Sequence, residues 1–179
     1  LSASFNIGFN KNRVEKFKNG ESNYKTYSSK WNGNSAAPFD DYIIREGEAV
    51  GQMYGYITGG MYTFDDFDYI GTGTYPYRLK GDTDGSKTEA AASLIGAKYF
   101  GPGSLKLVDK DGNIATSTDA KTVIGNANPD LIGGFNLTAR YKGFDLSAFF
   151  NFSIGNDVYN ANKIDNSCYS GSRKYNNLV

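Results

Sequence analysis

Residues 131–155 constrain this chain more than any other stretch. In their first half Phe135, Leu137, Ala139 and Tyr141 alternate with Asn136, Thr138, Arg140 and Lys142. A strand sends successive side chains to opposite faces, so one face is apolar and the other polar or charged. After Lys142 and Gly143 the alternation resumes. Phe144, Leu146, Ala148, Phe150, Phe152 and Ile154 are interleaved with Asp145, Ser147, Asn151 and Ser153, and Phe149 is the one exception. Gly143 supplies the positive φ of a tight hairpin turn, which makes the two runs antiparallel neighbours. Each run is about 10 residues, the length a tilted strand needs to cross a hydrocarbon core. Strands of soluble sandwiches are typically about 5–6 residues. The pattern predicts an all-β fold, part of the wall of an antiparallel transmembrane β-barrel.

Residues 1–10 repeat the signature, with Leu1, Ala3, Phe5, Ile7 and Phe9 set against Ser2, Ser4, Asn6, Gly8 and Asn10. Lipid outside and a watery or plugged lumen inside demand this arrangement. The competing reading is an edge strand of a soluble sheet. The 19 basic and 19 acidic residues cancel, so nothing in the bulk charge attracts nucleic acid. The longest helix-like apolar stretch, 90–97, is too short to span a bilayer. With no His and a single Cys, Cys168, an internal disulfide, a transition-metal site and His-based nucleophilic catalysis are ruled out or disfavoured. No charged or apolar leader precedes Leu1 and no strand closes the end, so the sequence reads as an internal piece of something longer.

Between the signatures the chain changes character. Residues 11–18 are basic; 21–41 are polar and carry Trp31, which suits an interfacial anchor, a sugar-stacking platform or plain loop packing. In 42–64 the aromatic residues Tyr54, Tyr56, Tyr62 and Phe64 recur among glycines, as in a headgroup-level girdle. From 65 to 130 there is little period and much Gly, Asp, Thr and Lys, which reads as a long functional loop. The expected layout is one partial barrel domain, 1–179. Strands and connections fill 1–64, a long extracellular loop 65–130, the transmembrane hairpin 131–155, and a further loop 156–179. Short turns face the periplasm in bacterial barrels and long loops face outward, which sets this orientation.

Several ordered words resemble the SusC/RagA family of TonB-linked outer-membrane proteins. They include Gly47-Glu48-Ala49-Val50-Gly51-Gln52-Met53-Tyr54-Gly55-Tyr56, then Gly60-Met61-Tyr62, and Pro102-Gly103-Ser104-Leu105-Lys106. Val123-Ile124-Gly125-Asn126-Ala127-Asn128-Pro129 follows, then Tyr141-Lys142-Gly143-Phe144-Asp145-Leu146-Ser147 and Gly155-Asn156-Asp157-Val158-Tyr159-Asn160. The resemblance implies the later part of a barrel of about 22 strands with a plugged lumen. It further implies active import of glycans or peptides across the outer membrane of Bacteroidetes-type bacteria. A SusD-like surface lipoprotein would be the partner, and TonB would be contacted through parts absent here.

Candidate contact residues sit in the long loop. Asp66, Phe67 and Tyr69, within the cluster running from Asp65 to Tyr69, join carboxylates to rings and suit a ligand contact, a lid contact or ordinary loop packing. Where the family has a fuller acidic loop, this chain has Asp109-Lys110-Asp111-Gly112-Asn113, with Asp119 beyond. Asp109, Asp111, Asn113 and Asp119 are candidate Ca²⁺ ligands, although Gly in the fourth place departs from the EF-hand register. The plainer reading is an Asp-Gly turn. The fragment Asp82-Thr83-Asp84-Gly85 is similar. No scaffold fixes two carboxylates at a catalytic spacing, so no catalytic residue and no cofactor other than calcium is assigned. The alternative function is a soluble or surface carbohydrate-binding β-sandwich without transport.

Overall fold

The computed structural model describes residues 1–18, 20–30, 40–96 and 100–161; Trp31, Cys168 and the chain end lie outside the described residues. Eleven strands and one α-helix follow one another, and the described chain divides into two compact units, Leu1–Tyr54 with Gly125–Val179 and Gly55–Ile124.

The first unit holds a three-stranded antiparallel sheet, β1 (Ser2–Gly8), β10 (Leu131–Tyr141) and β11 (Phe144–Ile154), in the order β1-β10-β11. Lys142 and Gly143 both take positive φ, 44° and 85°. That is the turn whose backbone twist matches the strands it joins, and it sets Tyr141 opposite Phe144 and Leu131 opposite Ile154. On the other side β1 pairs with β10 from Ser2 opposite Thr138 to Gly8 opposite Ile132. Two neighbouring strands are therefore separated in sequence by residues 9–130, and the chain leaves β1 and enters β10 at the end of the sheet away from the tight turn.

Part of that excursion belongs to the first unit. Strands β2 (Tyr24–Tyr27), β3 (Tyr42–Arg45), β4 (Gln52–Gly55) and β9 (Thr122–Asn126) form a second sheet in the order β2-β3-β4-β9. Its strands are short, and Ile43, 1% exposed, is their best-buried side chain. The second unit contains β5 (Ile57–Met61) paired with β8 (Leu105–Val108), β6 (Phe67–Tyr69) paired with β7 (Tyr77–Leu79), and the helix α1 (Ser86–Leu94). Tyr62, Phe67, Leu79, Ala91, Ala92 and Phe100 make its core. The stretch read from sequence as a loop from 65 to 130 thus carries strands, a helix and a core of its own. Tyr62, expected at headgroup level, is 3% exposed inside that core.

Candidate functional site

The three long strands place every member of the alternating pattern. One face carries the rows Ala3·Leu137·Ala148, Phe5·Phe135·Phe150 and Ile7·Gly133·Phe152, extended by Ala139·Leu146 and Tyr141·Phe144. The opposite face carries Ser2·Thr138·Ser147, Ser4·Asn136·Phe149 and Asn6·Gly134·Asn151, with the ion pair Arg140–Asp145 toward the turn. Phe149 and Ile132 are the apolar members of this polar face.

Nothing among the described residues covers the apolar face. Phe144 is 80% exposed, and Leu146 and Phe150 are each 58% exposed. In a soluble sandwich these would be the core. A continuous apolar surface of this extent is foreign to soluble monomers, whereas lipid is the solvent it fits. Each of β10 and β11 has eleven residues. At about 3.3 Å per residue and a tilt near 45° such a strand rises about 25 Å, the height of a barrel's apolar band.

The face is also finished locally. Gly133 lies beneath the ring of Phe152, whose Cζ would stand 2.5 Å from a Cβ built there, with the Asn6 carbonyl oxygen at 2.6 Å. Glycine is what admits the ring, and the ring covers the bare backbone. Phe5 stacks on Phe152 at 6.4 Å and Phe135 on Phe150 at 6.2 Å, so the aromatic side chains lie along the wall as cross-strand pairs.

Just beyond the apolar band the excursion is fastened at its base. The Val50 N–H donates to Asn12 Oδ1 at 2.8 Å, and the Val50 carbonyl accepts from Asn128 Nδ2. Val14 donates to the Glu48 carbonyl at 2.9 Å, Gly47 to the Val14 carbonyl at 2.7 Å, and Ala127 to the Gly51 carbonyl at 2.9 Å. Two asparagine side chains thus hold the backbone of one residue, Val50, through its N–H and its carbonyl. The sequence gives neither a role of its own, because each looks like an ordinary loop residue.

In the second unit the three residues singled out together part company. Phe67 is core, 5% exposed, with ring contacts to Tyr62 at 5.2 Å, Phe100 at 5.6 Å and Tyr77 at 6.1 Å. Placing it on a contact surface is corrected by this burial. Asp66 closes the short turn Phe64–Asp66, where its carboxylate accepts from the Thr63 N–H at 2.8 Å and from Lys106 Nζ at 3.1 Å. The Thr63 N–H, then Lys106 and the Thr63 hydroxyl, hold its carboxyl below the ordinary value. Tyr69 alone is open, 70% exposed, with its ring 5.1 Å from that of Tyr77. Phe64, 72% exposed and 6.2 Å from the same Tyr77 ring, joins it on the surface. Burial, and secondarily the charge of Asp66, pushes the Tyr62 phenol up to about 12.

The acidic fragments are occupied by their own loops. Asp109 Oδ1 accepts from the Asp111 N–H and the Asn113 N–H, both at 2.9 Å, and Oδ2 from Asn113 Nδ2 at 3.1 Å. The Asn113 side chain and N–H, with that of Asp111, hold the Asp109 carboxyl below its ordinary value. Asp111 pairs with Lys110 at 3.4 Å, and Asp119 sits in a separate short turn, Thr118–Ala120. The loop is closed by these hydrogen bonds. Among the described residues no group of three or more His, Cys, Asp or Glu side chains is placed to hold a metal.

Asp82, in the similar fragment, is 5% exposed and supports α1. Its Oδ2 accepts from the Thr88 N–H at 2.8 Å and the Thr88 hydroxyl at 2.6 Å, and Oδ1 from the Gly85 N–H at 3.1 Å. The Thr88 hydroxyl in turn accepts from the Leu79 N–H at 3.0 Å, joining helix to strand. Burial drives the carboxyl up, but the Thr88 and Lys87 donors outweigh it and hold the pKa at about 2, against an ordinary 3.8. Because the folded value is the lower one, this stabilisation is complete above the ordinary value and is lost as pH falls through about 2. It is worth about 2 kcal/mol. Asp82→Asn is expected to remove that pH dependence and to loosen residues 55–124 at neutral pH, read as faster amide exchange in α1 across a pH series. Wild-type and variant exchange that respond alike to acid would refute the assignment.

TonB-dependent receptor P3 of Formosa agariphila is 34% identical to this chain over 164 residues, covering 89% of the chain and 13% of that protein. TonB-dependent receptor P39 of the same organism is 29% identical over 191 residues, 96% of the chain and 17% of that protein. TonB-dependent receptor P26, also from it, is 30% identical over 122 residues, 68% of the chain and 11% of that protein. No protein-family model matches the chain. The chain spans less than a fifth of the length of these relatives.

Proposed function

Since the chain is homologous over most of its length to a segment of TonB-dependent receptors, we propose that it forms part of the wall and outward chain of an outer-membrane importer. The import is TonB-dependent and multi-pass, and energy reaches it through parts of the protein beyond these residues. The finer reading is a transporter of the SusC/RagA kind, taking up glycans or peptides with a SusD-like surface lipoprotein over its mouth. What carries the proposal is the open apolar face of β1, β10 and β11, two of which, β10 and β11, are long enough to cross a bilayer. The sandwich alternative needs that face covered by a second sheet, and it is bare among the described residues.

The polar face and the excursion divide the remaining work. Ser, Thr and Asn side chains suit a hydrated lumen, and residues 9–130, leaving from the end away from the tight turn, become the outward-facing side. Exposed rings such as Tyr69 and Phe64 are there available to a ligand or to the lipoprotein. The test uses the full-length protein in its own bacterium. It is expected to stay in the outer-membrane fraction through washes in high salt and alkaline carbonate, and to come out only with detergent. Uptake of a labelled oligosaccharide or oligopeptide is expected to stop when TonB is deleted. Release by carbonate would sink the barrel reading, and uptake indifferent to TonB would sink the transport reading.

A further inference from the structure

In the second unit the loop that joins β6 to β7 folds back over the start of α1 and leaves a small cleft there. Thr72, Gly73 and Thr74 of the loop line it, with Arg78 of β7 and Gly85 and Thr88 at the helix start. Among the described residues Arg78 is its one charged lining residue. A guanidinium carries five N–H donors, and this one spends Nη1 on the Thr83 carbonyl at 2.8 Å. Asp68 stands opposite Arg78 across the two strands, yet Arg78 makes no ion pair among the described residues. Its Nε and Nη2 lie 3.5 Å from where a Cβ on Gly85 would stand, so the group rests against the helix start.

The nearby carboxylates are engaged elsewhere. Asp82 accepts from Gly85 and Thr88, and Asp84 from the Ser86 N–H at 3.0 Å and the Ser86 hydroxyl at 2.7 Å. The helix N-terminus they cap takes up much of their charge. The lining therefore offers a cation with donors to spare, threonine hydroxyls and bare glycine backbone, and no carboxylate. The cleft holds about 140 Å³. At about 30 Å³ per water, that is room for one acidic group and not for the molecule carrying it. On the same loop the Tyr69 ring is braced. Its Cε1 stands 3.5 Å from where a Cβ on Gly71 would be, its centroid is 5.1 Å from that of Tyr77, and Tyr69 is 70% exposed.

We propose that this cleft binds an oxoanion, a carboxylate or sulfate, carried as a substituent of a sugar whose ring packs on Tyr69. A guanidinium presents paired N–H groups in the geometry such an anion accepts. The C–H face of a sugar is apolar and its rim polar, which matches a braced, exposed tyrosine. That the anion arrives on a sugar rests on the importer reading; the oxoanion site itself rests on the cleft alone.

The test follows amide exchange in residues 70–75 and 85–88 of the full-length receptor in non-ionic detergent, at constant ionic strength. The probes are glucose 6-sulfate, glucose, sodium sulfate and tetraglutamate. Glucose 6-sulfate is expected to slow exchange in both segments, glucose to leave it unchanged, and sulfate to act only at about tenfold higher concentration. Arg78→Gln is expected to raise the concentration of glucose 6-sulfate needed by about tenfold or more, and Thr74→Val, which keeps the cation, by about fivefold. Lys80→Gln, a neighbouring cation outside the lining, should change nothing. Equal protection in wild type and both cleft variants would overturn the site, and an equal loss in Lys80→Gln would reduce it to general surface charge. Sulfate acting as well as the ester would make it a free-anion site, and tetraglutamate acting better than the ester would overturn the sugar. Release of the wild-type receptor from the membrane by carbonate is a separate result, which removes the importer reading and leaves the exchange data standing.

Discussion

Ala148→Arg is expected to cost about 2–4 kcal/mol of barrel stability, whereas Ser147→Arg one residue earlier costs about 1 kcal/mol or less. Ala148 is near the middle of β11, in the row Ala3·Leu137·Ala148 of the open apolar face. An arginine there must place its guanidinium at the depth where hydrocarbon is thickest, with the longest path to snorkel to either interface. Ser147 stands opposite Thr138, itself opposite Ser2, and an arginine there enters a row of hydroxyls. Denaturant unfolding of the full-length receptor in lipid vesicles, followed by heat-modifiable gel mobility, measures both. Equal tolerance at the two positions would mean the faces have been assigned wrongly.

Phe67→Ala is expected to cost about 3–5 kcal/mol in residues 55–124 and to leave the long strands untouched. Its ring meets three others, those of Tyr62, Phe100 and Tyr77, within 6.1 Å. Removing it opens a cavity between β6 and the core, in a unit with few other large buried side chains. Tyr69→Ala, two residues on, exposes nothing new and forfeits one ring pair worth about 1 kcal/mol. Limited proteolysis of the full-length receptor, mapped by peptide mass, distinguishes the two. Phe67→Ala should open cleavage sites inside 55–124, and Tyr69→Ala should not. If the alanine at 69 damages the fold and the one at 67 impairs only ligand uptake, the assignments of core and surface are reversed.

The wall was legible because period two is a strong signal when it runs for eleven residues and a tight turn marks its middle. Each of Phe144, Leu146 and Phe150 falls on the face that the sequence assigns it. What sequence does not carry is which strand is whose neighbour. Alternation names faces, and nothing in residues 1–10 says that they lie against 132–138. The second unit was illegible for a different reason. Its strands have three to five residues, too few to show a period, and its core draws on single residues scattered from Tyr62 to Phe100. The helix buries Thr88, Ala91 and Ala92, small side chains that leave no hydrophobic stripe. Phe67 misled because three aspartates surround it between 65 and 68, and such company reads as surface. In the acidic loop at 109–113 the Asp109 carboxylate meets the amides two and four residues on, as the Asp-Gly turn pattern implies.

The order β1-β10-β11 also dictates a sequence of events. The hairpin of β10 and β11 closes over two residues, while β1 must find β10 across everything from 9 to 130. The entropy of that closure grows only with the logarithm of length, about 4 kcal/mol here, but the search is slow when partners lie so far apart along the chain. The hairpin is therefore expected to form before β1 docks, and in that interval one rim of β10 is open to the wrong strand.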